Sequence, residues 1–478
     1  MQNARAKTKF CLWYNIYMDY EKRAKRQSLR IIVSEFIMVL AVVSMVIVLA
    51  LVVSGYWING DLKVERQGML QINSIPTGLN ITIDDELLRF QRTNSSKILS
   101  SGEHKVLLSK EGYDTWTKTV TIREGLLYRL NYPYLFPQER EKEDVYDATG
   151  TTFATVSPSR NWILLTNKTT NWVLINLDSN NIKPTAVDIS KVFSSVSLAT
   201  GATSGLFTGE ILATEWDNAN EHILFKVQNG ANIEWVLLNV KNVLRSINLT
   251  REFASNFEDV RILGSSASSL LAMRSGNLHK IDVESRQISA ILASGVIHYD
   301  YYDNEIVYST KEEINLLKIG DDKPTALKEL EAPATILLSK FYEDKYITVI
   351  RDLEIIVYKK DDLTEVARAD LSFSPTYTKV GHDGDFIFLR DGSKIATFDM
   401  EALALKEWSP ESEKFGWLTN YMLYTVKNNE LIVYDYDGLN RRSISTNVSD
   451  HFPVTITNNR WMYYFSDDEL VREWLVNR

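Results

Sequence analysis

The sequence predicts a mainly β protein with one N-terminal transmembrane helix, a small β module, and a C-terminal β-propeller of eight blades, seven being the alternative count. Three observations predict it. No charge interrupts residues 36–58. A pair of strands joined by a polar turn recurs roughly every 40 residues beyond position 150, a period that suits four-stranded blades. Only 10 prolines occur in 478 residues, which leaves long stretches able to pair as strands.

The first element is a basic tail, residues 1–30, with eight Lys/Arg against two Asp/Glu. The rest of the chain carries 45 Lys/Arg against 60 Asp/Glu. A basic head on an acidic body suits an anionic membrane leaflet and argues against nucleic acid as the partner of the large domain. The single cysteine, Cys11, lies in this tail, so no intrachain disulfide can form and the rest must be stable through its core.

The second element, residues 31–58, reads as the membrane helix. Twelve of residues 37–53 are Leu, Ile or Val. The uncharged run, about 34 Å long as a helix, exceeds a hydrocarbon core of about 30 Å. Phe36, Leu40, Val46, Leu49 and Val53 supply the lipid-facing surface, and Tyr56 and Trp57 an interfacial belt. Lys22, Arg23, Lys25, Arg26 and Arg30 flank it on one side only, which keeps the N-terminus cytoplasmic and places the C-terminal domains outside. A cleaved signal peptide is the rival reading, but its apolar core is shorter and ends in a small-x-small exit.

After a short linker, 59–68, residues 69–131 form the small module. Met69 to Ser74 and Asn80 to Asp84 alternate as strands around a turn at Pro76 and Gly78. Gly102-Glu103-His104-Lys105-Val106 follows, then Gly112-Tyr113 and Val120-Thr121-Ile122. This ordered set resembles the PEGA domain, a small β-rich module of bacterial envelope proteins. Leu79 stands where that pattern has Ala, and Asp85-Glu86 where it has Asp-Gly. The resemblance implies a β fold and an envelope location. His104 lacks a nearby Cys or second His, so a structural role is expected and no metal site. Residues 132–150 read as a linker whose Glu143 to Asp147 would close the ring.

Residues 151–478 hold the repeats, with paired strands beginning at Trp162, His222, Ser269, Glu305, Tyr346, Phe386, Tyr421 and Trp461. The last unit stops one strand short, and residues 190–210, rich in Ser, Gly, Ala and Thr, read as a surface insertion. The architecture is similar to the degenerate propellers of exported bacterial proteins and of dipeptidyl-peptidase N-terminal regions.

The search for chemistry finds no phosphate loop, no His-Glu-x-x-His, no cysteine cluster and no Gly-x-Ser-x-Gly. No catalytic, metal or cofactor residues are therefore assigned, and no cofactor is expected. His382-Asp383-Gly384-Asp385 reads as a turn. Glu215, Asp217, Asp300 and Asp303 leave open a carboxylate pair of the glycosidase type. Tyr299, Tyr301 and Tyr302 are a candidate stacking platform for a ligand. The expectation is a non-catalytic binding protein of the cell envelope, with the bilayer and an envelope glycan, surface protein or peptide as partners. The alternative is a polysaccharide hydrolase or lyase.

Overall fold

The computed structural model describes residues 33–50, 56–58, 64–194, 206–321, 323–412 and 414–475. Cys11, the five tail cations and Val53 lie outside them. The chain divides into two compact units, residues 1–106 with 119–133, and residues 107–118 with 134–478.

In the first unit Val33–Ala50 is one helix, long and apolar enough to cross a membrane. Phe36, Leu40, Val46 and Leu49 are all more than half exposed, as expected of side chains that lack an apolar solvent. The helix does not reach residue 58. Tyr56–Ile58 is a strand, paired antiparallel with the start of Val64–Ile72. Aromatic and β-branched side chains favour that choice, so Tyr56 and Trp57 belong to a hairpin, and the second strand begins inside the segment read as a linker.

Two four-stranded sheets follow. One orders Tyr56–Ile58, Val64–Ile72 and Ser95–Ser100, with Leu127–Leu130 parallel to Val64–Ile72. The other orders Glu86–Arg92, Asn80–Ile83, Gly102–Ser109 and Trp116–Ile122. Leu70, Ile72, Leu79, Ile81, Val106, Val120 and Leu130 alternate inward and are fully or almost fully buried. Asp84 and Asp85 both take positive φ and make the tight turn usually built with Gly. At Gly68 a Cβ would lie 2.4 Å from the Arg123 carbonyl oxygen, so only glycine permits this approach.

In the second unit, eight further sheets of four antiparallel strands occur among the described residues. Their first strands are Thr151–Val156, Glu210–Trp216, Asp259–Ile262, His298–Tyr302, Thr335–Phe341, Tyr377–Val380, Phe415–Trp417 and Thr455–Thr457. Each sheet runs in simple chain order, except the last. There Thr455–Thr457, Trp461–Ser466 and Glu469–Trp474 take their fourth strand from Lys142–Asp147, with Glu469 opposite Asp147 and Glu473 opposite Lys142.

Each sheet packs face to face on the next. Leu164, Trp172 and Leu174 of the first meet Ile223, Phe225 and Val236 of the second. The series continues through the third, fourth, fifth and sixth sheets. Phe386 of the sixth stacks on Tyr436 of the seventh, with centroids 4.5 Å apart. The Tyr424 hydroxyl of the seventh accepts the Val454 N–H beside the eighth. Ile163, Leu165 and Ile175 of the first sheet share a core with Trp461, Tyr463 and Phe465 of the eighth, so the circuit closes. A closed circuit of radial four-stranded sheets is a β-propeller. The insertion after the first sheet is anchored at both ends, because Phe193 and Phe207 pack on the buried Trp172 ring.

Candidate functional site

The first strand of each propeller sheet has one edge without a ladder partner, and these edges face a common axis. Unpaired N–H groups there need acceptors. Side chains of the preceding sheet supply them. A Glu215 carboxylate oxygen accepts the Ile262 N–H at 3.1 Å. Asp300 accepts the Leu338 N–H at 2.8 Å, and His298 Nδ1 accepts the Ile336 N–H at 3.2 Å. Acceptance at Nδ1 fixes His298 as the neutral Nε2–H tautomer.

These residues line a cavity of about 1140 Å³. Its walls are the ends of the first strands and the turns that follow them, from the first through the seventh sheet. One wall is acidic. Glu215, Asp259 and Asp300 come from the second, third and fourth sheets, with Arg261 among them. Arg261 donates from Nε to Asp259 at 3.0 Å and lies 4.8 Å from the Tyr299 ring centre. Its Nη1 is 4.0 Å from Asp300. Burial pushes Glu215 up to about 7 and Asp300 up to about 6, against the pull of their backbone hydrogen bonds and Arg261. Burial and the Arg261 charge lower His298 to about 4.

The opposite wall is basic. Arg160 follows the first strand of the first sheet, Lys340 lies on that of the fifth and Lys379 on that of the sixth. Arg160 Nη2 donates to the Asn420 side chain at 2.7 Å. The Lys379 ammonium lies 4.5 Å from the Trp417 ring centre. Burial, then the charge of Arg160, lowers Lys379 to about 8. Gly384 closes this wall at positive φ, where a Cβ would lie 2.1 Å from the Lys340 carbonyl oxygen.

The three tyrosines do not form one platform. Tyr299 is buried in the core between the third and fourth sheets, its hydroxyl on Asp259 at 2.9 Å. Tyr301 shares that strand face, while Tyr302 projects from the other and is partly exposed in the cavity. Tyr377, nearly half exposed there, offers a ring that sequence reading overlooked. Asp217 holds the His222 ring at 2.9 Å and two backbone N–H groups, and Asp303 sits in an exposed hairpin turn. Asp383 and Gly384 reach the cavity, whereas burial pushes Asp385 up to about 7 beside Tyr421. Asp259, Arg261, Arg160, Lys340 and Lys379 were not singled out from sequence. Their one shared signal is position in a repeat's first strand or in the turn after it.

In the small module Pro76 follows a cis peptide, and Gly78 and Gly102 take positive φ. His104 Nδ1 bonds to Asp84 at 2.6 Å, and its Nε2 lies 2.9 Å from the Ser100 carbonyl oxygen. Gly112 and Tyr113 belong to the second unit, where Tyr113 is buried and bridges to Pro137. Among the described residues no group of three or more His, Cys, Asp and Glu converges as if to hold a metal.

Glu215 makes a direct prediction. The folded chain retains at Glu215 a proton that the unfolded chain releases near 4.5, so this group's contribution to stability falls as pH rises from about 4.5 to about 7. Glu215→Gln keeps the carbonyl acceptor for Ile262 and has no charge to bury. Thermal melts should match wild type at pH 5 and show a gain of about 2 kcal/mol at pH 8. A gain of the same size at both values would rule out the titration.

Comparison with known proteins gives the following. Residues 67–134 match the PEGA domain. A search of curated proteins returns no match. Among solved structures, the C-terminal WD40 domain of Sif2 is 13% identical, with 70% of this chain and 99% of that chain covered at a TM-score of 0.46. The computationally designed Ika8 protein is 12% identical, with 70% and 100% covered at 0.41. The Cps50 (Swd1) β-propeller domain of Myceliophteria thermophila is 8% identical, with 71% and 100% covered at 0.38.

Proposed function

We propose that this is a membrane-anchored cell-envelope protein whose eight-bladed propeller binds a ligand in its central cavity without catalysis. The ligand is an envelope glycan, a surface protein or a peptide. The observation that carries the reading is the cavity itself, a roughly 1140 Å³ space walled by charged and aromatic side chains whose carboxylates are engaged by backbone N–H groups and Arg261. The apolar helix at Val33–Ala50 supports anchoring, and the cations before it support a cytoplasmic N-terminus.

The full-length protein, immobilised in detergent, tests this against cell-wall glycan fragments and solubilised envelope proteins. Retention of one class, weakened by Tyr377→Ala, is the expected result, and retention of none would overturn the reading. Topology has its own test. Cys11, the sole cysteine, should react with an impermeant maleimide only after cells are opened. A Leu244→Cys variant lacking Cys11 should react on intact cells, since Leu244 is 85% exposed.

A second reading, polysaccharide hydrolysis, draws on two carboxylates that face one cavity in different surroundings, Glu215 buried against a backbone N–H and Asp259 bonded to Arg261. Chain cleavage abolished by Glu215→Gln would favour it.

A further inference from the structure

Resting on the reading of the cavity as a ligand site, we propose that its basic wall selects an acidic sugar, with Arg160 and Lys379 holding the sugar's carboxylate or phosphate and Tyr377 packing against its ring. Three cations from three different sheets face one cavity. Among the described residues no carboxylate lies within ion-pair distance of Arg160, Lys340 or Lys379. Three of the cavity's acids stand on other sheets and are committed, Glu215 and Asp300 to backbone amides and Asp259 to Arg261 and Tyr299; the fourth, Asp383, lies in the turn after the Lys379 strand. The basic wall therefore carries three cations against one carboxylate, Asp383, an excess of positive charge.

Placing like charges side by side costs the free protein stability, and binding of an anion offsets that cost. Arg160 is oriented by one bond to Asn420, which leaves the rest of its fork for an oxyanion. Lys379 is steadied over Trp417 with its ammonium donors free to turn. Tyr377 stands two residues before Lys379, on the same face of the strand, so a flat ring and a cation lie side by side. Ring face plus cation suits a sugar that carries an acid group. An extended peptide is disfavoured, because the edge N–H groups of Ile262, Ile336 and Leu338 that would pair with it are already capped.

The test is calorimetry on the full-length protein in detergent, with five probes: trigalacturonate, glucose 6-phosphate, maltotriose, triglutamate and inorganic phosphate. Binding of trigalacturonate or glucose 6-phosphate is expected, weakening with salt, and which one binds identifies the acid group. Maltotriose should bind at least about tenfold more weakly. Lys379→Gln and Arg160→Gln should each reduce affinity about tenfold or more, and Lys379→Arg should retain most of it. Lys340→Gln provides a third variant should either of the others fail to fold.

Equal binding of maltotriose, with the charge variants unaffected, would overturn the anion site and leave the cavity reading standing. Triglutamate in place of either sugar would overturn the choice of sugar in favour of an acidic peptide. Inorganic phosphate alone would overturn the sugar and leave a bare anion site. Silence with all five probes, together with no retained envelope glycan, would remove both proposals.

Discussion

Arg140→Ala is expected to destabilise the propeller by about 3–5 kcal/mol, because it strands a buried carboxylate. Arg140 Nε donates to Glu473 at 2.6 Å, and Glu473 is only 1% exposed. The same guanidinium donates to the Pro137 and Ile444 carbonyl oxygens. The nearest other cation is Lys142, 4.0 Å from Glu473 and itself substantially exposed. The other Glu473 carboxylate oxygen has no hydrogen-bond partner. Removing Arg140 thus leaves a buried charge with only the distant, exposed Lys142 beside it. It acts where Lys142–Asp147 joins Glu469–Trp474, in the propeller sheet that, among the described residues, is built from distant parts of the chain.

Denaturant unfolding of the full-length protein should show the loss as a lower midpoint at an unchanged slope. Arg140→Met with Glu473→Leu should recover most of it, since an apolar pair of similar size replaces a buried ion pair at little cost. An Arg140→Ala midpoint equal to wild type would mean that Glu473 finds water or another partner and that the pair does not hold the seam.

Legibility in the sequence followed how much of each signal is local. The second and third strands of each unit, such as Glu354–Lys359 with its four consecutive buried residues, are sandwiched between sheets and stand out as apolar runs. Fourth strands are another matter. Ile247–Asn248 and Gln287–Ile288 are two residues long and carry no pattern to detect. The apolar helix was visible from composition, but its end was not, because Tyr56–Ile58 is as free of charge as the span and pairs with a strand that lies further on.

The cavity was the least legible part. Glu215 and Asp300 were visible as acids, yet what engages them is a backbone N–H one repeat further along, at Ile262 and Leu338. A carboxylate that caps a neighbouring strand and one that solvates a turn are the same letter. Lys379 and Arg160 are separated by more than 200 residues, and only closure of the ring brings both to one cavity. The tyrosine triplet misled for the opposite reason. Adjacent letters suggest one surface, but alternation along His298–Tyr302 sends Tyr302 to the face opposite Tyr299 and Tyr301.

Trp116→Ala should cost about 3–5 kcal/mol, from the cavity it leaves and from the donor it removes. Trp116 is fully buried, and its Nε1–H donates to Asp435 at 2.7 Å. Asp435 is equally buried and also accepts from Asn440 at 2.8 Å and Arg442 at 3.4 Å. Beside it Lys118 pairs with Asp437 at 2.7 Å, both almost wholly enclosed. Burial pushes the Asp435 carboxyl above its usual range, and the donors restrain that rise. Trp116→Phe keeps most of the volume and removes only the N–H, so it separates packing from electrostatics. With one donor fewer, the Asp435 charge is still costlier, and the folded state holds its proton to higher pH. Stability then falls over a wider span as pH rises from the ordinary carboxylate range. Trp116→Phe should therefore be milder than Trp116→Ala at every pH, and its deficit should be larger at pH 8 than at pH 5. A deficit that ignores pH would mean that the indole N–H does not support the Asp435 charge, and that Trp116 acts through its volume alone.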